Sequence, residues 1–415
     1  MRMKFNKSSQ LLLVSAASLL VAGLVTACGT LTVDFVFVAS SKAAGTNNYG
    51  EIDVLEINSE SGFMRHIPTS PFPSGGRDPV SEAVSSDNTI LYVANQDDNS
   101  IVQFAIGNDG KLYPQNTVNT PGIYPLAIAV NGSNLFVVDT YAPLPQCSTA
   151  DPCSGSIGVF PIVAASGSTP SAPGAPVVNP TINAAYWPLT VPGKPNDVIV
   201  PTAVNVLASG SYVYVTAYDS SVTPNIGYVF GFSVGSGGVL TNLSGSPFAA
   251  GTTPSAIASD PSNSYVYVTD STTGNILAYS VASGALAPLT SGANGSNRFP
   301  AGNQPSAIVV DPKYSYVYVA NSLDSTVNAY SMNSGALTNL GTFATGTQPV
   351  AIGIDPSTNH FLYTANYLGN GAVGTVSGFE LSPTTGMLVN SQNSPYLVDP
   401  LPTAVAAIPH GGTQN

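Results

Sequence analysis

An all-β fold, a seven-bladed β-propeller of four-stranded antiparallel blades, is what this sequence predicts, and three observations predict it. Seven prolines (Pro79, Pro125, Pro201, Pro254, Pro305, Pro349 and Pro402) each open a step of small and then aliphatic residues. Five of the six gaps between them span 44 to 53 residues, the length of one blade, and the gap from Pro125 to Pro201 is 76. Most copies then run into a Tyr/Val-rich segment, as in Pro305-Ser-Ala-Ile-Val-Val-Asp-Pro-Lys-Tyr-Ser-Tyr-Val-Tyr-Val-Ala-Asn. Such a repeat fixes an architecture and leaves the activity open.

The chain begins with an address. Arg2, Lys4 and Lys7 make a basic start, and Leu11 to Val25 is an apolar run too short to span a bilayer comfortably. It ends in Leu24-Val25-Thr26-Ala27-Cys28-Gly29, which resembles the lipobox of bacterial lipoproteins. The resemblance implies a signal peptide over residues 1–27 and acylation of Cys28 as the mature N-terminus. The rest, 28–415, is then a propeller held at the envelope by lipid alone, on the periplasmic side of an outer membrane or at the cell surface. An ordinary secretory signal, cut after a small residue, is the alternative, and it also exports the chain. With Cys28 acylated, Cys147 and Cys153 remain, and an oxidising compartment favours a disulfide across that short loop. So small a ring contributes about 2 kcal/mol and clamps a loop rather than the fold.

Composition narrows the function classes. Without Arg2, Lys4 and Lys7, 7 cations face 22 acids, a charge of −15, and no basic stripe offsets it. Nucleic-acid phosphates are repelled by such a surface. Charged residues are only 8%, with 40 Gly and 34 Pro, but 43% apolar content supports a packed core.

Each blade reads as four strands. The Pro-x-Ala-Ile step starts the innermost strand, where small residues suit the crowded axis. Asp260, Asp311 and Asp355, each followed by proline, are turn residues. Tyr265 to Val268 and Tyr316 to Val319 alternate as second strands apolar on both faces, and so sandwiched between blades. Ile101 to Ile106 and Ile276 to Val281 are third strands. Turns such as Asn108-Asp109-Gly110 lead to the outer one. Pro402-Thr-Ala-Val-Ala-Ala-Ile is an innermost strand with no blade after it, and Thr32 to Ala39 a second strand with no first. Joined, with Gly50 to Ile57 as third strand, they form a composite blade that closes the ring. The long gap holds an insertion in blade 3 (about 142–200), whose segment Ala164 to Val200, with the only tryptophan, Trp187, is expected to lie across one face as a long loop.

Tyr-Val-Tyr-Val-Thr-Asp, Leu-Tyr-Val-Ala-Asn and Tyr-Val-Tyr-Val-Ala-Asn resemble the repeats of the YVTN-type and lactonase-type seven-bladed propellers, a family that includes the propeller form of 6-phosphogluconolactonase. The resemblance covers nearly everything from about Leu31 onward. It implies lactone hydrolysis in an axial channel lined by His, Arg and Glu. Here the third position of the innermost strand is Ala127, Ala203, Ala256, Ala307, Ala351, Ala404 or Ser81, never histidine.

The catalytic inventory is thin. His66, His360 and His410 are the only histidines and fall on different parts of the repeat. No phosphate loop or nucleophile elbow is present. What remains is the channel mouth, where the loops before the first strand and after the second meet. Arg77 precedes Pro79, and Glu82 stands where other copies carry an aliphatic or small residue. Asp139, Tyr141, Tyr218, Asp219, Asp270, Asn321, Asn366 and Tyr367 end the second strands or follow them, either as ligand-binding residues or as turn residues bonding local amides. No cofactor or metal is expected, though Asp97-Asp98 could help hold Ca²⁺. Three readings result. The first, preferred, is a monomeric, noncatalytic propeller binding a small molecule or protein at its channel face. The second is a lactonase with Glu82 as base and Arg77 steadying the oxyanion. The third is a Ca²⁺-dependent sugar-lactone hydrolase.

Overall fold

The computed structural model describes residues 33–409 except 45–46, 59–60, 148–151, 167–169, 293–294, 356–360 and 369–372. The expectations on Cys28, His360 and His410 lie outside these residues. Seven antiparallel sheets follow one another, and among the described residues there is no α-helix. The innermost strands are Pro402–Ile408, Pro79–Val84, Ile123–Val130, Ile199–Val206, Pro254–Ser259, Pro305–Val310 and Pro349–Ile354. Each packs against the next, and the last against the first, so the ring is closed. Blades are numbered 1 to 7 in that order.

Blade 1 is the composite. Its second strand, Val33–Ala44, pairs with Pro402–Ile408 on one side and with Tyr49–Asn58 on the other, in a register running from Phe35 opposite Ile408 to Ser40 opposite Pro402. The terminal strands thereby remove the open edge a linear chain would leave.

Seven buried apolar clusters fill the seven seams between neighbouring blades. The Tyr-Val-Tyr-Val motif staples these seams in a repeated way. The second tyrosine hydroxyl reaches the next blade: Tyr214 donates to the Gly284 carbonyl at 2.7 Å, Tyr267 to Gly335 at 3.0 Å and Tyr318 to Gly386 at 3.1 Å. The first tyrosine covers the same glycine. A Cβ on Gly284, Gly335 or Gly386 would meet the ring of Tyr212, Tyr265 or Tyr316 at 2.5 Å, and all three glycines have left-handed φ. Only glycine fits there.

The insertion departs from its expected position. It does not lie over a face as a free loop: Trp187–Pro188 pairs with Ser156 and Ile157 of the third strand of blade 3. Trp187 is buried in the seam between blades 3 and 4, where its indole N–H donates to the Leu240 carbonyl at 2.9 Å. A lone tryptophan in a Pro/Ala/Gly-rich stretch has an apolar body to bury, and the seam offers both the volume and an acceptor. Cys147 and Cys153 are joined, with Cα atoms 5.3 Å apart.

Candidate ligand-binding face at the channel mouth

Every innermost strand begins with a β-bulge, between its anchor proline and the third residue. At three of the four hydroxylated positions the second side chain bridges to the neighbouring blade, whereas Thr202 bonds Thr216 within its own blade. Ser255 Oγ donates to the Pro305 carbonyl at 2.5 Å, Ser306 Oγ to Pro349 at 2.7 Å and Thr403 Oγ1 to Pro79 at 2.6 Å. The residue before the proline is left-handed in five blades: Asp78, Tyr124, Gln304, Gln348 and Leu401 have φ between 50 and 60°. That conformation is strained for a side-chain-bearing residue, most of all before proline. It is held by a bond from the residue just beyond the second strand, as from Gln96 N to Asp78 O, Ser322 N to Gln304 O and Tyr367 N to Gln348 O. These loops make one hydrogen-bonded rim around the mouth, and no sequence signal beyond the proline announced their strain.

The acids and amides that end the second strands are buried in that rim. Asp270 accepts from the amides of Thr252 and Thr253 at 2.9 and 3.1 Å, Asp139 from Gly122 at 2.9 Å, and Asn321 from Gly302 at 2.9 Å. Asn366 donates to Thr375 and Ser377, while Asp219 accepts from Lys194 at 3.0 Å and from the Ser221 amide at 2.9 Å. Asp139, Asp219, Asp270, Asn321 and Asn366 are all fully buried, so their side chains face loop amides rather than the mouth. Tyr141, Tyr218 and Tyr367 are half-buried, and Tyr141 lies edge-on to Tyr124. Asp139 differs from the others: burial pushes its carboxyl up to about 7, against the bond from Gly122, and its second oxygen has no partner.

Arg77 and Glu82 are not brought together. Arg77 is exposed on the rim, where its Nε donates to Asp98 at 2.7 Å and a terminal nitrogen to the Asp97 carbonyl at 3.2 Å. Partial burial works the other way, but the guanidinium holds the Asp98 carboxyl below its ordinary range. The Asp98 carboxylate is thus paired with a cation from its own chain, while Asp97 offers that cation only its main-chain carbonyl. No group of three or more His, Cys, Asp or Glu at metal-binding range occurs among the described residues.

Glu82 pairs with Val93 across the sheet, which places it on the seam with blade 1. The equivalent residues elsewhere are Ile128, Val204, Ile257, Ile308, Ile352 and Val405. The residue as a whole is half-buried, but both carboxyl oxygens are out of reach of solvent and of any hydrogen-bond partner. Burial pushes this carboxyl up to about 8. It is mostly protonated at neutral pH, and in this sealed position no water reaches it to be activated.

A second charged group went unread in the sequence because its members are far apart along the chain. Lys42 Nζ lies 2.7 Å from Asp399 and 3.3 Å from Glu51. The Asp399 amide donates to Asp53, whose other oxygen is 3.0 Å from His66 Nε2. Hydrogen bonding to Asp399, then burial, raises the Glu51 carboxyl above its usual range, while Asp53 raises that of His66.

A closed ring of seven four-stranded blades, with a loop-built rim at the start of the innermost strands, defines the class: a β-propeller. The chain belongs to the lactonase, 7-bladed beta-propeller family, whose model matches residues 48–158 and 222–406. No curated protein matches in sequence. Among solved structures, a candidate 6-phosphogluconolactonase from Bacteroides fragilis is similar, with 19% identity, a TM-score of 0.68, and 91% of this chain and 99% of that one covered. The periplasmic gluconolactonase of Pseudomonas aeruginosa follows at 17% identity and a TM-score of 0.65, with the same coverage. A hypothetical selenium-binding protein from Sulfolobus tokodaii, 10% identical, reaches a TM-score of 0.62 over 91% of this chain and 94% of that one. At these identities the likeness concerns fold.

Proposed function

We propose that the chain is an exported, envelope-anchored propeller that binds a small-molecule or protein ligand on its channel-mouth face without hydrolysing it. The observation that carries this reading is the separation of Arg77 from Glu82: one is paired to Asp98 on the rim, the other is a neutral acid sealed in a seam. A water attack on a ring ester needs a base and an oxyanion partner at one point, and these two supply neither. Support for export and anchoring comes from the Leu11–Val25 run and the Leu24-to-Gly29 motif.

Family membership favours a second reading, a lactonase. In that case the acid–base residues are Glu51 and Asp399, since both carboxyls share the Lys42 ammonium and are partly reachable by water. The deciding experiment is hydrolysis of glucono-δ-lactone and 6-phosphoglucono-δ-lactone by purified protein, with and without EDTA. The binding reading expects the spontaneous rate throughout. Enzymatic hydrolysis that Glu51→Gln removes would establish the lactonase reading in its place, and hydrolysis lost in EDTA would point to the Ca²⁺-dependent one.

A further inference from the structure

A cleft of about 710 Å³ opens on the channel-mouth face between blades 5 and 6. Ser255 and Ser306 enter it from the innermost strands, Thr273 and Ser322 from the loops after the second strands, and Asn303 and Gln304 from the segment before Pro305. No residue lining it carries a charge.

The hydrogen bonding of these groups restricts what they offer. Ser255 and Ser306 already donate to proline carbonyls, and Ser322 Oγ donates to the Gln304 carbonyl at 3.0 Å. Each hydroxyl has one proton, so what it presents to the cleft is lone pairs, one of which on Ser255 already faces Thr269 Oγ1 at 2.8 Å. Asn303 uses one amide N–H on Asp324 at 2.8 Å, which leaves its carbonyl oxygen and its second N–H. The cleft is thus richer in acceptors than in donors, and a ligand with several O–H groups, which donate as well as accept, suits it. Gln304, fixed at φ 50° by the bonds from Ser322, sits in a pre-set backbone position. Such pre-organisation lowers the ordering cost of binding. Leu323 is 66% exposed at the edge of the cleft and provides an apolar plate beside the acceptors.

Many O–H donors, no net charge and one apolar face together describe a sugar ring. We propose that the cleft between blades 5 and 6 is a subsite for a neutral saccharide, held by lone pairs of Ser255, Ser306 and Ser322 and by Asn303 and Gln304, with a ring face on Leu323. The proposal rests on the channel-face reading above and names the ligand class for it. An anionic sugar is disfavoured, since no cation lines the cleft and the whole chain carries −12.

The test is saturation-transfer NMR and calorimetry on the full chain with glucose, galactose, cellobiose, maltose and chitobiose, and with 6-phosphogluconate as the charged counterpart. At least one neutral sugar is expected to bind, with 6-phosphogluconate neither binding nor competing. Gln304→Ala should weaken affinity about fivefold to tenfold, the loss of one neutral hydrogen bond. Leu323→Asp, exposed and so neutral for folding, should abolish it. No neutral sugar binding, or tighter binding of 6-phosphogluconate, overturns the ligand class. Sugar binding that survives both substitutions but is weakened by Asp98→Asn keeps the channel-face reading and overturns this cleft.

Discussion

The seam between blades 5 and 6 and the stretch where blade 1 meets its neighbours do the same structural work with different chemistry. Between blades 5 and 6 the cross-links are neutral: Tyr267 to Gly335, Ser255 to Pro305, and an apolar cluster containing Val317, Val319 and Ile276. Around blade 1 the ring is closed by residues hundreds of positions apart, and there the links are charged. Lys42 bridges Glu51 and Asp399, and Asp53 holds the Asp399 amide and His66, while on the blade 2 side Glu82 lies buried as an unpaired acid. Covalent continuity joins blade 5 to blade 6, whereas blade 7 reaches the second strand of blade 1 only through noncovalent contacts. The difference places the pH- and salt-sensitive part of the ring at its closure and leaves the neutral cleft on the most regular part.

The strongest way to break the comparison is to remove the closure. Deleting residues 401–415 takes away the innermost strand of blade 1 and bares the edge of Val33–Ala44. The ring should then melt far below the parent or aggregate, an effect of more than about 4 kcal/mol, since a whole strand and its share of two seams are lost. Thermal melting and light scattering read it. An unchanged melting temperature would sink the strand-swap account.

A smaller effect, of opposite sign, is expected at Glu82. Its carboxyl has an ordinary value near 4.5 when unfolded and is raised to about 8 by burial in the fold. Below pH 4.5 both states are protonated and the acid carries no pH-linked penalty. Between pH 4.5 and 8 the unfolded chain sheds the proton and the fold does not, so stability falls as pH rises through that window. Glu82→Ile restores the residue type of the equivalent strands and should stabilise by about 1–3 kcal/mol at neutral pH. The gain should be larger at pH 8 than at pH 4.5. Glu82→Gln should remove the pH dependence while keeping the unbonded polar group. A stabilisation by Glu82→Ile that is flat with pH would show that the carboxyl is solvated or partnered after all.

These two sites also mark how far the sequence could be read. The anchor prolines and the Tyr-Val alternation state a period, and a period is local information, so the blades, the third strands and even the composite closure were legible from it. Glu82 stood out because it breaks the repeat, but its role did not follow: the position is a seam position, where the other copies are Ile or Val for packing reasons. Arg77 was visible as a rare cation, whereas its partner Asp98 sits 21 residues away and is joined only by the fold. Lys42, Asp399 and His66 are scattered along 357 residues of chain, so no motif could unite them. Trp187 had no repeat to align with, and its seam position depends on shape. The cleft between blades 5 and 6 uses residues as common as serine and threonine, whose meaning comes from which hydroxyl protons are already engaged.

The smallest prediction compares a charged link of the closure with a neutral link of a regular seam, the one between blades 6 and 7. Lys42 is 41% exposed in its side chain, so its ion pairs are screened, and Lys42→Met should cost less than about 1 kcal/mol. The loss should shrink further in 1 M salt, because the Debye length there is only about 3 Å. Tyr318→Phe removes the neutral bond to the Gly386 carbonyl and leaves that buried acceptor without this donor. It should cost about 1 kcal/mol, and by the same amount in low and high salt, since no charge is involved. Denaturant melts of both variants at two ionic strengths measure this directly. If Lys42→Met is insensitive to salt, or Tyr318→Phe is not, the division into a charged closure and a neutral, regular seam does not hold at the level of single bonds.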